Sequence, residues 1–141
     1  MPGYRYLLDT NMLSSLLKQP GGMVAKQIFK VGEDVICTSI VVACELRYGA
    51  AKKGSKTLSD KVERLLSEIE VLPFELGADE KYAEVRAALE QAGTPIGAHD
   101  YLIAAHALSL ALILVTANVG EFTRVAGLRV ENWLTAPMGT L

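Results

Sequence analysis

Short apolar runs alternate along this chain with longer stretches of helical period, and that alternation limits the fold more than any other feature does. "YRYLLDT" reads as a buried first strand ending at Asp9, "VICTS" as a second, "VLPF" as a short third bounded by Pro73, "LALILVT" as a long apolar fourth and "GLRVENW" as a last. Helical patterns fall between them in "NMLSSLLKQ", "VVACELRYG", "LSDKVERLLSEIE", "ADEKYAEVRAALEQAG" and "PIGAHDYLIAAHAL", with a basic linker after the second. Pro20 and the glycines after it stop the first helix, and Ser39 stands where it can cap the second. Strands separated in this way are expected to run parallel, because a parallel pair needs a crossover long enough to hold a helix. The expected architecture is a three-layer α/β/α domain with a mostly parallel central sheet. A chain of 141 residues has room for one such domain, spanning residues 1–141.

In open sheets of this kind ligands collect beyond the C-terminal ends of the strands. Asp9 and Thr116 fall at that edge, and the helices bearing Glu45 and Asp100 begin there. Asp100 shares a helix face with Ile103, Ala104, Ala107 and Leu108, and Glu45 shares one with Val41, Val42, Tyr48 and Gly49. A bare carboxylate on an apolar face is costly to bury. Each has an ordinary explanation: Asp9 and Asp100 could cap helices, and Glu45 could pair with Arg47 or Arg86. Together those explanations need three coincidences at one sheet edge. A divalent cation would relieve the mutual repulsion of all three, and oxygen ligands suit magnesium or manganese. Zinc fits less well, since His99 and His106 lack an acidic partner at a metalloprotease spacing and read as exposed or boundary side chains.

The formal net charge of -2 gives no global attraction to nucleic acid, so a polyanion would need a local patch or metal ions. One basic stretch exists, with Arg47, Lys52, Lys53, Lys56, Lys61 and Arg64 set against Asp60 and Glu63. Cys37 and Cys44 have neither redox-pair nor zinc-site spacing and read as core thiols of a reducing compartment. Without a signal-like start or a long apolar span, the expected location is the cytoplasm, away from membranes. A receiver-like acidic pocket would require a lysine after the late strand, where only Arg124 and Arg129 occur. Neither "QPGG" nor "KKGSK" supplies a dinucleotide fingerprint after the first strand. Trp133 reads as a residue closing a small core, and the tyrosines lack the pattern of a base-reading sheet.

The stretches "LLDTN", "VVACELRYG", "GTPIGAHDYLIAAHA" and "LVTANVGEFTRVAGLRVENW" resemble, in order and over nearly the whole chain, the VapC toxins of the PIN-domain family. That resemblance implies that Asp9, Glu45 and Asp100 are the main metal-binding carboxylates of a ribonuclease. Asn118 and Glu121 match the positions that complete the site, Glu121 with a catalytic charge as well. Ala117 departs from the Thr-Asn-Asn that such relatives often carry. Thr10, Asn11, Ser39 and Thr116 are the expected supporting groups, and Arg86 matches an arginine that supports the pocket or meets substrate phosphate. The implied protein is an endoribonuclease toxin dependent on Mg2+ or Mn2+, cutting the anticodon region of a transfer RNA by water attack. A VapB-like antitoxin is the implied partner, a homodimer the implied assembly, and DNA binding is left to the partner. "NMLSSLL" and "KQIFK" could offer an apolar surface to a partner helix.

Overall fold

The computed structural model of the chain describes residues 3–135. Five strands, β1 (Tyr6–Leu8), β2 (Ile36–Ser39), β3 (Glu70–Leu72), β4 (Ile113–Val115) and β5 (Val130–Glu131), form one sheet in the order β3-β2-β1-β4-β5. Every neighbouring pair is parallel, with Leu7 in register with Cys37 on one side and Leu114 on the other. The three central strands carry no exposed residue, which is why they read as continuous apolar runs rather than alternating ones. Leu7, Leu8, Cys37, Leu114 and Val115 are completely buried.

Seven helices cover the sheet: α1 (Thr10–Lys18), α2 (Met23–Val31), α3 (Ile40–Lys53), α4 (Lys56–Glu68), α5 (Ala78–Gln91), α6 (Ala98–Ser109) and the short α7 (Val119–Phe122). Helices α1 to α4 pack on one another, and α5 pairs with α6, giving the three-layer arrangement. The chain moves from β1 outward through β2 to β3, then crosses back to β4 and β5 on the other side of β1. The direction of winding therefore reverses between β1 and β4, and the crevice at their C-terminal ends is the switch point where ligands of such sheets bind.

Four sequence expectations change. The stretch after Gly49 is no linker: Lys52 and Lys53 complete α3, Lys56 opens α4, and only Gly54 and Ser55 lie between. Gly54 makes the break, adopting the left-handed conformation at φ 64° that terminates α3. Residues Met23–Val31 form a full helix, which their two flanking glycine sites obscure in the sequence. His106 is 1% exposed rather than a boundary residue, because α6 is enclosed on several faces, with Tyr101 and the whole run from Ile103 to Ala107 buried. Cys44 is exposed, on the side of α3 opposite the core positions Val42, Ala43, Leu46 and Ala50. Trp133 does close the core, its ring set edge-on to Tyr6 at 5.0 Å and its Nε1 donating to Glu131 at 3.0 Å.

Candidate active site at the carboxyl edge of the sheet

Asp9 follows β1 directly and is the N-cap of α1, its Oδ1 accepting from the Thr10 amide at 2.8 Å. Its Oδ2 accepts from Thr116 Oγ1 at 2.8 Å, across the crevice between β1 and β4, and its own N–H donates to Val115 at 2.9 Å. The carboxylate is only 4% exposed. Burial pushes its pKa up, with the charge of Glu45 adding to the rise, against the bonds from Thr116, Thr10 and Asn11. Thr116 Oγ1 also accepts from the Asn118 amide at 3.0 Å, so one buried hydroxyl joins the first acid to the start of α7. Asn11 completes this clip: its Oδ1 accepts from the Ala117 amide at 2.9 Å and its Nδ2 donates to Thr116 Oγ1 at 3.3 Å. That contact uses the backbone of residue 117, so the alanine there leaves it intact.

Glu45 lies in the second turn of α3 with its side chain 25% exposed, and its Oε2 accepts from Thr10 Oγ1 at 2.7 Å. Its Oε1 is 3.5 Å from Nδ1 of the exposed His99. Neither arginine considered as its partner reaches it. Arg47 is paired with Glu63 at 3.0 Å, and Arg86 with Glu90 at 3.1 Å. Arg86 also donates to Tyr82 Oη at 2.6 Å and lies over the Tyr101 ring, so neighbours one turn away on α5 hold it off the carboxylates.

Asp100 stands in the first turn of α6, but Gly97 occupies the N-cap with no side-chain bond, so Asp100 is not a capping residue. A Cβ on Gly97 would sit 3.1 Å from Asp100 Oδ2, so the missing side chain makes room for the carboxyl. The Asp100 pKa is pushed up to about 7, first by burial, then by a hydrogen bond with Glu121 and by the charges of Asp9, Glu121 and Glu45. Glu121 moves the other way, lowered by that same bond, by Asn118, by the nearby Arg124 and by the Gly97 amide. The two carboxyls thus share a proton and titrate as a pair. Asn118 Nδ2 donates to Glu121 Oε2 at 2.9 Å, so in this arrangement the amide holds the acid in place.

Asp9, Glu45, Asp100 and Glu121 are therefore brought together, with Thr10, Asn11, Thr116 and Asn118 as their hydrogen-bonding partners. Ser39 serves elsewhere. It caps α3 by accepting from the Val41 amide at 3.0 Å, and it lies 2.7 Å from the buried His106 Nδ1. The hydroxyl can accept from that amide and still share a bond with Nδ1, whose direction follows the imidazole tautomer. Ser39 and His106 so tie the helix of Glu45 to the helix of Asp100. Gly97, Arg124 and His106 also belong to this neighbourhood, in roles the sequence did not indicate. The proline and glycine just before Asp100 are the signal that could have pointed to the first.

Among the described residues no lysine or arginine forms an ion pair with Asp9, Glu45, Asp100 or Glu121. No group of three metal-ligating side chains among the described residues is already gathered closely enough to form a coordination cage. The donor set still fits a hard cation: all its ligands are oxygens, their repulsion is uncompensated, and magnesium keeps several waters that can fill the remaining positions.

A model of the PIN domain family matches residues 6–128. The chain is 38% identical over 130 residues to the tRNA(fMet)-specific endonuclease VapC of Shigella flexneri, covering 92% of this chain and 98% of that one. It is 36% identical over 130 residues to ribonuclease VapC2 of Rickettsia felis, covering 91% and 97%. Its fold is similar to the crystal structure of VapBC2 from Rickettsia felis bound to a promoter DNA fragment, with a TM-score of 0.84, 34% identity and coverage of 91% and 98%.

Proposed function

From the premise that the chain belongs to the PIN-domain family, among its VapC members, we propose that it is an endoribonuclease toxin dependent on magnesium or manganese. The observation that carries this reading is the four-carboxylate cluster at the switch point, held by neutral donors and, among the described residues, left without a paired lysine or arginine. Asp9, Glu45 and Asp100 would hold the metal, with Glu121 or Asn118 completing the set. When bound, such a cation lowers the pKa of water and offsets charge on the transferring phosphoryl group. The protein's own part is to orient the acids: Thr116 and the Thr10 amide hold Asp9, Thr10 Oγ1 holds Glu45, and Asn118 holds Glu121. Asp100, hydrogen-bonded to Glu121, would hold a cation in its ionised form, so binding would be coupled to loss of the proton these two groups share. Attack by water then leaves a 5′ phosphate and a 3′ hydroxyl.

The proposed substrate is the anticodon region of a transfer RNA. The name of the Shigella relative supports a transfer RNA, and an anticodon loop presents exposed bases and backbone to a small domain. A VapB-like antitoxin is the proposed partner, supported by the similarity to VapBC complexes, and in this proposal DNA binding belongs to it and not to this chain. A homodimer working in the cytoplasm completes the proposal. No helix among the described residues is long and apolar enough to cross a membrane. The test is sequencing of new 5′ ends after brief exposure of total RNA to the protein with manganese, beside the Asp9→Asn variant. A dominant metal-dependent cut in an anticodon loop, absent with the variant, is expected. Cleavage confined to messenger RNA would overturn the substrate, and 2′,3′-cyclic phosphate ends would overturn the water attack.

A further inference from the structure

An acidic site in a chain of net charge -2 has to hold a polyanion against repulsion, which calls for a cationic group at its rim. Arg86, the sequence candidate, is already engaged by Glu90 and Tyr82, and Arg47 by Glu63. Arg124 is differently placed. It lies on the turn after α7, between Phe122 and Val125, which are 0% and 3% exposed and fix the backbone there. Its amide closes that turn onto the Glu121 carbonyl at 3.1 Å. Its Nη1 donates to the Pro95 carbonyl at 3.0 Å, in the segment leading to Gly97 and Asp100.

The guanidinium therefore spans the two loops that bring Glu121 and Asp100 together, and its side chain is exposed. It forms no ion pair among the described residues, although its charge is felt at Glu121. One nitrogen is anchored on a carbonyl while the other donors have no protein partner among the described residues. A planar, permanently charged donor group held in that way suits a phosphodiester. We infer that Arg124 contacts substrate, its guanidinium binding a backbone phosphate of the RNA strand next to the scissile one. This inference rests on the ribonuclease reading.

The test measures binding of bulk transfer RNA to the Asp9→Asn chain in magnesium at several salt concentrations, with and without Arg124→Gln or Arg124→Lys. The glutamine substitution is expected to weaken binding roughly tenfold, as the loss of one charge-assisted bond does. It should also reduce the slope of log affinity against log salt by about 0.7 to 0.9, the value of one phosphate contact. Lysine should keep most of the slope and part of the affinity. In cleavage assays Arg124→Gln should raise KM with kcat nearly unchanged, and manganese affinity by calorimetry should not move. Unchanged affinity and slope in the glutamine variant would overturn the inference alone, since the parent still binds RNA. A drop in manganese affinity and in kcat would overturn it in favour of a structural clasp that only positions Glu121. If the parent itself binds no transfer RNA at any salt, the ribonuclease reading on that substrate falls together with it.

Discussion

Replacing Asp100 by asparagine should stabilise the metal-free protein near neutral pH. The Asp100 carboxyl rises from its ordinary 3.8 to about 7, so between those values the folded chain holds a proton that the unfolded chain has lost. A raised acid pKa makes stability fall as pH climbs through that window and level off above it. At about 1.4 kcal/mol per pH unit the whole rise would amount to about 4 kcal/mol. Asp100 is only half-buried, and the opposite shift of Glu121 returns part of the cost, which leaves about 1–2 kcal/mol. Asparagine keeps the shape and removes the titration. In chelator, Asp100→Asn should exceed the parent by about 1–2 kcal/mol at pH 8 and match it near pH 4, by urea unfolding. In manganese the order should reverse, because only the parent gains fully from binding. A difference between the two proteins that stays constant from pH 4 to pH 8 would refute the account of four crowded carboxyls.

Thr116→Val removes the hydroxyl that donates to the buried Asp9 and accepts from the Asn118 amide, so it should cost about 1–3 kcal/mol of stability and lower manganese affinity, with Thr116→Ser restoring both. Calorimetry and urea unfolding of the two variants check this, and an isosteric valine without effect would refute the clip. Ala111 sits at φ 55° in the turn before β4, a conformation that costs an L-residue about 1–2 kcal/mol, so Ala111→Gly should raise stability by about 0.5–1 kcal/mol. Native alkylation followed by mass spectrometry should label Cys44 and spare Cys37, whose thiol is buried within the central sheet's packing and pushed up to about 12.

The backbone of the site was legible because each acid is tied to a local signal. Asp9 follows an apolar strand, Asp100 opens a helix just after a proline and a glycine, and Glu45 sits one turn from the buried Val42, although Tyr48, expected on the same apolar face, is exposed. The parallel sheet was legible for the same reason, since strands buried on both faces leave unbroken apolar runs. What could not be read were the contacts closed by tertiary structure. Thr116 and Asp9 are 107 positions apart, and no periodicity links them. His106 defeated the reading because a helix enclosed on several sides buries positions that a one-faced helix would expose. Arg86 misled for the converse reason, its helix offering an ion-pair partner at Glu90 and a hydroxyl at Tyr82 before any distant acid could compete.

The chemistry of the supporting residues explains how one edge of a small domain keeps its acids available to a cation. Hydroxyl and amide donors such as Thr10, Thr116, Asn11 and Asn118 satisfy carboxylate oxygens without cancelling their charge. A lysine or arginine in the same places would satisfy them equally well and remove the attraction for a cation. The basic side chains stand instead at the margin, with His99 3.5 Å from Glu45 and Arg124 anchored on Pro95. Burial lifts the Asp100 pKa first, and the repulsion kept in the centre adds to it, so placing an acid here for a divalent ion also lowers the stability of the metal-free fold. Burying the same acids against paired arginines would give a more stable domain with no use for metal.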